Sequence, residues 1–404
     1  MSDALPASPA DLFTRFGIRH VINASGTETV HGASRADPSV VAAVAAVLPE
    51  WIEMTELQRA ASRTIAAATG AEAGFVTGCS AAGIAVTVAA AMTGTSLAKV
   101  EALPDTTGMK DTVVLMKGHE VNYGASVSQM IRMTGARVRE IGTATACSGF
   151  QLEAALEGPV ACAMYVLSHH TVQSGLLPLR RFCAIAREKG VPVMVDAAAE
   201  YDWSGMLAAG ATAIVVSAQK APAGTTAGII AGPRDFIRAC MAQERGIGRP
   251  MKAGKESVAG AIAALDLWAS TDHAARASAE ATRLDRAAGL LSGLHGLRLE
   301  READPAGNPF SRLMLHLDPA VAGVSAFRLG QALAEGRPKI VLRSLHADRG
   351  YLLLDVRRIT DAELDHIVAR IKAILAEEPG REGATAEFIP GGDLAQRAIE
   401  RWLG

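Results

Sequence analysis

Aromatic residues make up only 4% of the 404-residue chain, too few for the stacking platforms on which single-stranded nucleic acids are held. An excess of one charge is also missing. Forty Lys and Arg stand against 42 Asp and Glu, a formal net charge of −2, so no basic footprint for nucleic acid or an anionic membrane is expected. The five cysteines (Cys79, Cys147, Cys162, Cys183 and Cys240) are odd in number and show no CxxC spacing, which argues against a disulfide framework or a zinc site; no metal is expected. The longest apolar run, around Ala81 to Met92, is too short to span a bilayer and reads as a buried helix. The opening stretch MSDALPASPADLFTRFGI lacks a basic segment followed by an apolar one, so export is not expected and a reducing cytoplasm fits best. Hydrophobic residues are abundant at 49%, with 39 glycines, enough for a large core with helices packed closely on a sheet.

From about Glu72 to Pro233, short β-branched runs alternate with helical stretches, the pattern of a mostly parallel sheet covered by helices. Strands are predicted at Ala73–Thr77, Thr112–Met116, Val138–Ile141, Ala161–Leu167, Val191–Val195, Ala213–Val216 and Gly228–Ile230; their pairing order does not follow from the pattern. A helical stretch from about Lys255 to Ser292 leads to LRLERE, SRLMLHLD, a helix near Ser325–Ala334, KIVLRSLH, YLLLDVRR and a final helix over Thr360–Glu377. The expected organisation is an N-terminal arm and short helix (1–50), a large α/β domain (51–257), a linking helix (258–295) and a small C-terminal α+β domain (296–404).

The sharpest chemical feature is VPVMVDAAAEYDW, an apolar strand ending in Asp196, followed one helix later by ATAIVVSAQK, a strand that leads to Ser217 and Lys220. Ligands of open α/β sheets bind outside the strand C-terminal ends, so this acid and this lysine belong to one pocket. Pyridoxal phosphate requires such a pair, a lysine to carry it and a carboxylate to keep its ring nitrogen protonated. Taken singly, Asp196 would be a helix cap and Lys220 a solvated loop residue; the small-residue loop APAGTTAG after Lys220 favours the joint reading. In FVTGCSAAGIA, the backbone N–H groups of Gly78, Cys79, Ser80 and Ala81 are expected to face a cofactor phosphate at a helix N-terminus, with Ser217 adding a hydroxyl; a plain cap by Ser80 is the alternative. His119 and His170 each follow a strand and are candidates to lie against the cofactor ring, with His119 also a candidate for proton transfer. ERGIGRPMKAGKES offers Arg249, Lys252 and Lys255 to an anionic substrate, or is a solvated basic loop. Arg343 and Arg357, expected on strands of the small domain, are candidates for a substrate carboxylate, with surface ion pairing the alternative. Asn23 and Thr27 in VINASGTETVHG lie on a glycine-bearing arm that could close over the site.

Nearly end to end, through VINASGTET, EMTELQRAAS, GFVTGCSAAGIA, GHEVNYGASVSQMIRMTGARVREIG, SHHTVQSGLLPL, VPVMVDAAAE, SAQKAPAGTTAGII and GRPMKAGKES, the chain resembles the selenocysteine-synthase-like group of fold-type I enzymes, and within it the ammonia-lyase branch. The resemblance implies an aspartate-aminotransferase-like fold, pyridoxal 5′-phosphate on Lys220, Asp196 as the pyridinium partner, and a homodimer with the active site at the subunit interface. The reaction expected is elimination of a β leaving group from a small anionic amino acid or amino-sugar acid, D-glucosaminate 6-phosphate among them, with release of ammonia. A selenium or sulfur transferase acting on aminoacyl-tRNA, an aminotransferase or racemase, and a non-catalytic cofactor-binding protein are the alternatives; the missing basic surplus speaks against the first.

Overall fold

The computed structural model describes residues 9–377 together with 396, 399, 400 and 402. The polar, glycine-bearing tail after Pro379 otherwise lies outside the described residues. Twelve strands are present among them: β1 (Val21–Ala24), β2 (Ala73–Thr77), β3 (Thr112–Met116), β4 (Arg137–Ile141), β5 (Val160–Val166), β6 (Val193–Asp196), β7 (Ala213–Ser217), β8 (Gly228–Gly232), β9 (Leu297–Ala303), β10 (Ser311–Leu317), β11 (Lys339–Leu342) and β12 (Tyr351–Leu354). They fall into two compact units. The larger comprises Ala33–Thr271 and Pro305–Asn308, and the smaller takes in the chain before and after these segments.

The larger unit is built on a seven-stranded sheet of order β2-β8-β7-β6-β5-β3-β4. Only β8 runs antiparallel to its neighbours, so β2 is returned to the direction of β7 and every strand but β8 ends on the same edge. β2, β3, β5, β6, β7 and β8 are buried along their whole length, as continuous Val, Ile and Ala runs require when both sheet faces are covered. Helix Ser80–Thr93, almost entirely apolar, lies buried along one face against β5 to β8. Helix Leu179–Glu188 instead buries a single stripe, Phe182, Cys183, Ile185 and Ala186, and turns its arginines outward, the pattern of an amphipathic surface helix. Phe182 is fully buried and meets the ring of Tyr165 edge-on at 5.3 Å.

The smaller unit holds the antiparallel sheet β12-β10-β9 and a parallel pair in which β1 joins β11. The N-terminal arm therefore belongs to this unit up to Gly32, because VINA finds its hydrogen-bonding partner in KIVL. The expected single linking helix is two, Lys255–Ser270 and His273–Leu291. The Asp272 carboxylate accepts from Ala274 N and Ala275 N, so it starts a new helix instead of continuing the old one. The smaller unit's core is leucine-rich, with Leu313, Leu315, Leu329, Leu352 and Leu364 all buried.

Phe182→Ala removes a ring from the centre of the larger core and is expected to lower the unfolding free energy by about 3–5 kcal/mol, read from the midpoint of a urea transition at unchanged slope.

Candidate cofactor site

The site is assembled at the edge where β2, β3, β5, β6 and β7 end. Asp196, the last residue of β6, is 5% exposed, and its Oδ1 has no hydrogen-bond partner. Burial raises the Asp196 carboxyl to about 6, against the opposing pull of the Lys220 charge and of the Ala198 backbone N–H. A buried carboxylate oxygen without a donor is costly, so this atom is shaped for a partner that carries its own proton and charge. Lys220 follows β7 and is half-buried. Ser217 is buried, and its backbone N donates to Ala198 O, which binds the ends of β6 and β7 together.

The turn after β2 differs in detail from the sequence expectation. Gly78 N donates to Met251 O at 2.7 Å, so that N–H does not face an anion. The cap of helix Ser80–Thr93 is Cys79, whose Sγ accepts from Ala82 N at 3.4 Å, and not Ser80. The Ser80 and Ala81 amides remain in the helix's first turn, where N–H groups have no intrahelical acceptor. Gly228, at the start of β8, makes room for them: a Cβ there would lie 2.2 Å from Cys79 O and 3.0 Å from Ser80 N. Thr77 Oγ1 also donates to Met251 O, and Thr77 bridges to Lys252. The basic segment is thus laid along this turn, with Arg249 and Lys252 exposed beside it. Lys255 points elsewhere, donating to Leu48 O and Glu50 O at 2.7 Å each, which removes it from the anion-binding candidates.

His119 follows β3 and is buried; its Nδ1 accepts from Val166 N at 3.1 Å and its ring meets Tyr165 edge-on at 4.4 Å. Burial lowers it to about 4, so it is neutral at ordinary pH with its proton on Nε2. His170 lies in the turn after β5, exposed, with its ring 3.9 Å from that of His169. Tyr123, which sequence reasoning passed over, sits at the tip of a hairpin closed by the Asn122–Ser126 bridge. Its phenol is pushed well above its usual range by burial and by the neighbouring Asp196, Cys79 and Glu120 charges. Only the alternation of glycine and polar residues in EVNYGAS hinted at a presented loop.

In the smaller unit, Asn23 uses its side chain to fold its own turn, donating to Gly26 O and accepting from Ser25 N and Oγ; Thr27 is half-buried beside it. Arg343 and Arg357 lie just past β11 and β12, not on them; Arg343 is buried, and the side chain of half-buried Arg357, 8% exposed, pairs with buried Asp355 instead of forming a surface ion pair. Burial and the nearby Arg312 lower Arg343 from its ordinary range. Arg357 Nε and Nη2 donate to Asp355, and the guanidinium lies 3.5 Å from the Phe310 ring centroid. Burial opposes ionisation of Asp355, yet Arg357 and Arg312 hold its carboxyl well below the usual carboxylate range.

The larger unit's residues fit pyridoxal 5′-phosphate. They offer an orphaned carboxylate oxygen for a ring N–H, a lysine within its field, and a helix N-terminus cleared by glycine for a phosphate. No family model matches the chain. It is 36% identical over 364 residues, 90% of this chain and 98% of the relative, to the D-glucosaminate-6-phosphate ammonia lyase of Salmonella typhimurium. It is 25% identical over 350 residues, 76% of this chain and 70% of the relative, to the L-seryl-tRNA(Sec) selenium transferase of Desulfomicrobium baculatum. The chain belongs to the selenocysteine-synthase-like group of fold-type I pyridoxal-phosphate enzymes. A solved D-glucosaminate-6-phosphate ammonia-lyase superposes on this group member with a TM-score of 0.82 at 35% identity, covering 91% of this chain and 98% of that one. A second relative of the group is nearly as similar: the 5′-C-glycyluridine monooxygenase-decarboxylase of a Streptomyces species, 34% identical over 371 residues, 91% of this chain and 93% of the relative. The chain is an enzyme of the lyase type, and its cofactor is pyridoxal 5′-phosphate. No helix among the described residues is long and apolar enough to cross a membrane.

Asp196 titrates at about 6 when folded and 3.8 when unfolded, so its contribution to stability is full below the unfolded value and is lost as pH rises through 6. Cofactor-free Asp196→Asn is therefore expected to be more stable than the parent by roughly 2–3 kcal/mol at pH 7.5, with the gap closing toward pH 4 in thermal melts. Gly228→Ala forces Cys79 and Ser80 aside and is expected to weaken pyridoxal phosphate binding about tenfold or more by titration.

Proposed function

We propose that this enzyme catalyses α,β-elimination from a phosphorylated amino-sugar acid, D-glucosaminate 6-phosphate or a close analogue, releasing a 2-oxo acid and ammonia. The observation that carries the reading is the orphaned Asp196 Oδ1 opposite Lys220, in a chain 36% identical to an ammonia lyase over nearly its whole length. Bound to Lys220, pyridoxal phosphate supplies an electron sink that makes the substrate α proton removable. The work of the chain's own groups follows from their places. Asp196 would keep the ring nitrogen of the bound cofactor protonated. Lys220 would carry the cofactor and, once freed from it, would be the group placed to take the substrate α proton. Ser80 and Ala81 N–H, with the Ser217 hydroxyl, would hold the cofactor phosphate. His119, neutral and fixed through Nδ1, is suited to pack against the ring face and unsuited to be a cationic acid; His170 is the flanking candidate.

Arg249 and Lys252 would attract the substrate phosphate, and Arg343 and Arg357 a substrate carboxylate, with Asn23 and Thr27 as polar companions. A homodimer in the cytoplasm is part of this proposal. Helix Pro38–Val47, PSVVAAVAAV, buries only Val40. Val41, Leu48 and Trp51 are 56%, 52% and 102% exposed, large apolar side chains of the kind that a second subunit covers. The 34% identity to a monooxygenase-decarboxylase supports a second reading, oxygen-dependent decarboxylation of a glycyl-type amino acid on the same cofactor.

The test is a visible spectrum of the purified protein beside Lys220→Ala, followed by assays of ammonia, carbon dioxide and oxygen uptake with each substrate class. Ammonia and 2-oxo acid from D-glucosaminate 6-phosphate without oxygen uptake is expected, with turnover at least about 10³-fold lower in the variant. Oxygen uptake with carbon dioxide release would replace elimination by the second reading, and a visible band that persists in Lys220→Ala would overturn the assignment of the lysine.

A further inference from the structure

Among the described residues the two non-glycine positions with left-handed backbone are Ala33 (φ 61°) and Ala223 (φ 60°). Such conformations are uncommon for alanine and persist only where the surroundings over-determine them. Both flank one hydrogen bond. Gly32 (φ 80°) and Ala33 turn the chain so that Ser34 Oγ donates to Gln219 O at 2.6 Å, across 185 residues of sequence. Ala223 lies three residues beyond Lys220 and donates its N–H to Lys220 O at 3.2 Å.

The carbonyl of Gln219 and the N–H of Lys220 belong to the same planar peptide. Ser34 grips one side of that plane, and the other side is held by Lys220 N donating to Ser217 O at 3.2 Å. The following plane is held through Lys220 O. With both planes fixed, the direction in which the Lys220 side chain leaves the backbone is fixed too. The remaining loop is tied to itself and to its surroundings, Gly224 N to Ala218 O, Thr226 Oγ1 to Gln219 Oε1, and Thr225 Oγ1 to Ser257 O. The Ser34 bond reaches this peptide from a part of the chain 185 residues away.

We propose that Ser34 is a positioning residue for Lys220: its hydroxyl locks the Gln219–Lys220 peptide, so that the amine is delivered to the cofactor and the substrate α carbon in one orientation. This rests on Lys220 being the cofactor lysine. Loss of the hydroxyl removes one of the two holds on the plane and none of the groups proposed to touch cofactor or substrate, so turnover should suffer more than substrate binding.

The experiment compares Ser34→Ala and Ser34→Thr with the parent by amide hydrogen exchange in the cofactor-free protein, then by pH titration of the visible band and by steady-state kinetics of the loaded enzyme. Exchange at Lys220, Ala223 and Gly224 is expected to quicken roughly three- to tenfold in Ser34→Ala while β6 and β7 keep parental rates. The pH midpoint of the band should move and kcat should fall about tenfold with KM within about twofold. Ser34→Thr, which keeps the hydroxyl, should return all three toward the parent. Unchanged exchange and an unchanged band midpoint in Ser34→Ala would overturn the proposal, as would a Ser34→Thr protein no better than Ser34→Ala. Should Ser34→Ala fail to fold, Ser34→Cys, a weaker donor of similar size, reads the same exchange, and parental rates there overturn the proposal equally. Failure of the lysine assignment is distinguishable, because it shows as a visible band surviving in Lys220→Ala and leaves the cofactor-free exchange result standing.

Discussion

The site depends on one carboxylate taken out of water. Asp196 ends a strand whose neighbours on both sides are buried, so nothing solvates it except the Ala198 N–H and the charge of Lys220. An acid in that position destabilises the fold unless something cationic arrives, and the rest of the edge is arranged around that requirement. β7 brings the lysine, the helix after β2 brings the N–H groups, and antiparallel β8 brings a glycine small enough to let the turn come close. The left-handed backbone at Ala33 and Ala223 adjoins the same lysine, through Ser34 on the Gln219 carbonyl and Ala223 on the Lys220 carbonyl.

Much of this was legible because buried parallel strands advertise themselves as unbroken Val, Ile and Ala runs, and because Asp196 and Lys220 stand at the ends of two of them. β2 and β3 were readable to the residue for the same reason. Details fixed by distant partners were not legible. Nothing in GCSAAG shows that Gly78 gives its N–H to Met251, or that Lys255 binds the carbonyls of Leu48 and Glu50. The break at Asp272 was readable in principle, since Asp ahead of a helical run is a cap signal, but the alanine-rich sequence on both sides masked it. The burial of Arg343 and Arg357 depends on Asp355, Phe310 and Arg312 closing around them, and long-range closure of that sort leaves no local pattern.

Two relatives of almost equal similarity carry names for different reactions, one an ammonia lyase and the other a monooxygenase-decarboxylase. That near-equality locates chemistry outside the cofactor frame. In the proposed site the acid, the lysine and the turn would serve any reaction that draws electrons into the ring, and the outcome would be decided by what faces the substrate. On the proposed reading, Tyr123, whose phenol is pushed well above its usual range by burial and by the Asp196, Cys79 and Glu120 charges, and the cations at Arg249 and Lys252 would be among the groups facing the substrate.

Lys255 has a consequence beyond the site. By gripping the carbonyls at the end of helix Pro38–Val47 it supplies a cation where the helix dipole is negative, and so anchors an uncharged helix whose outer side is alanine, valine and, nearby, an uncovered tryptophan. The chain therefore finishes folding with a rigid greasy plate on display. If the proposed homodimer covers that plate, the hazardous moment in a crowded cell is the interval between release from the ribosome and pairing, when any other sticky surface competes for it. Abundance itself then becomes protective, since a scarcer subunit waits longer uncovered.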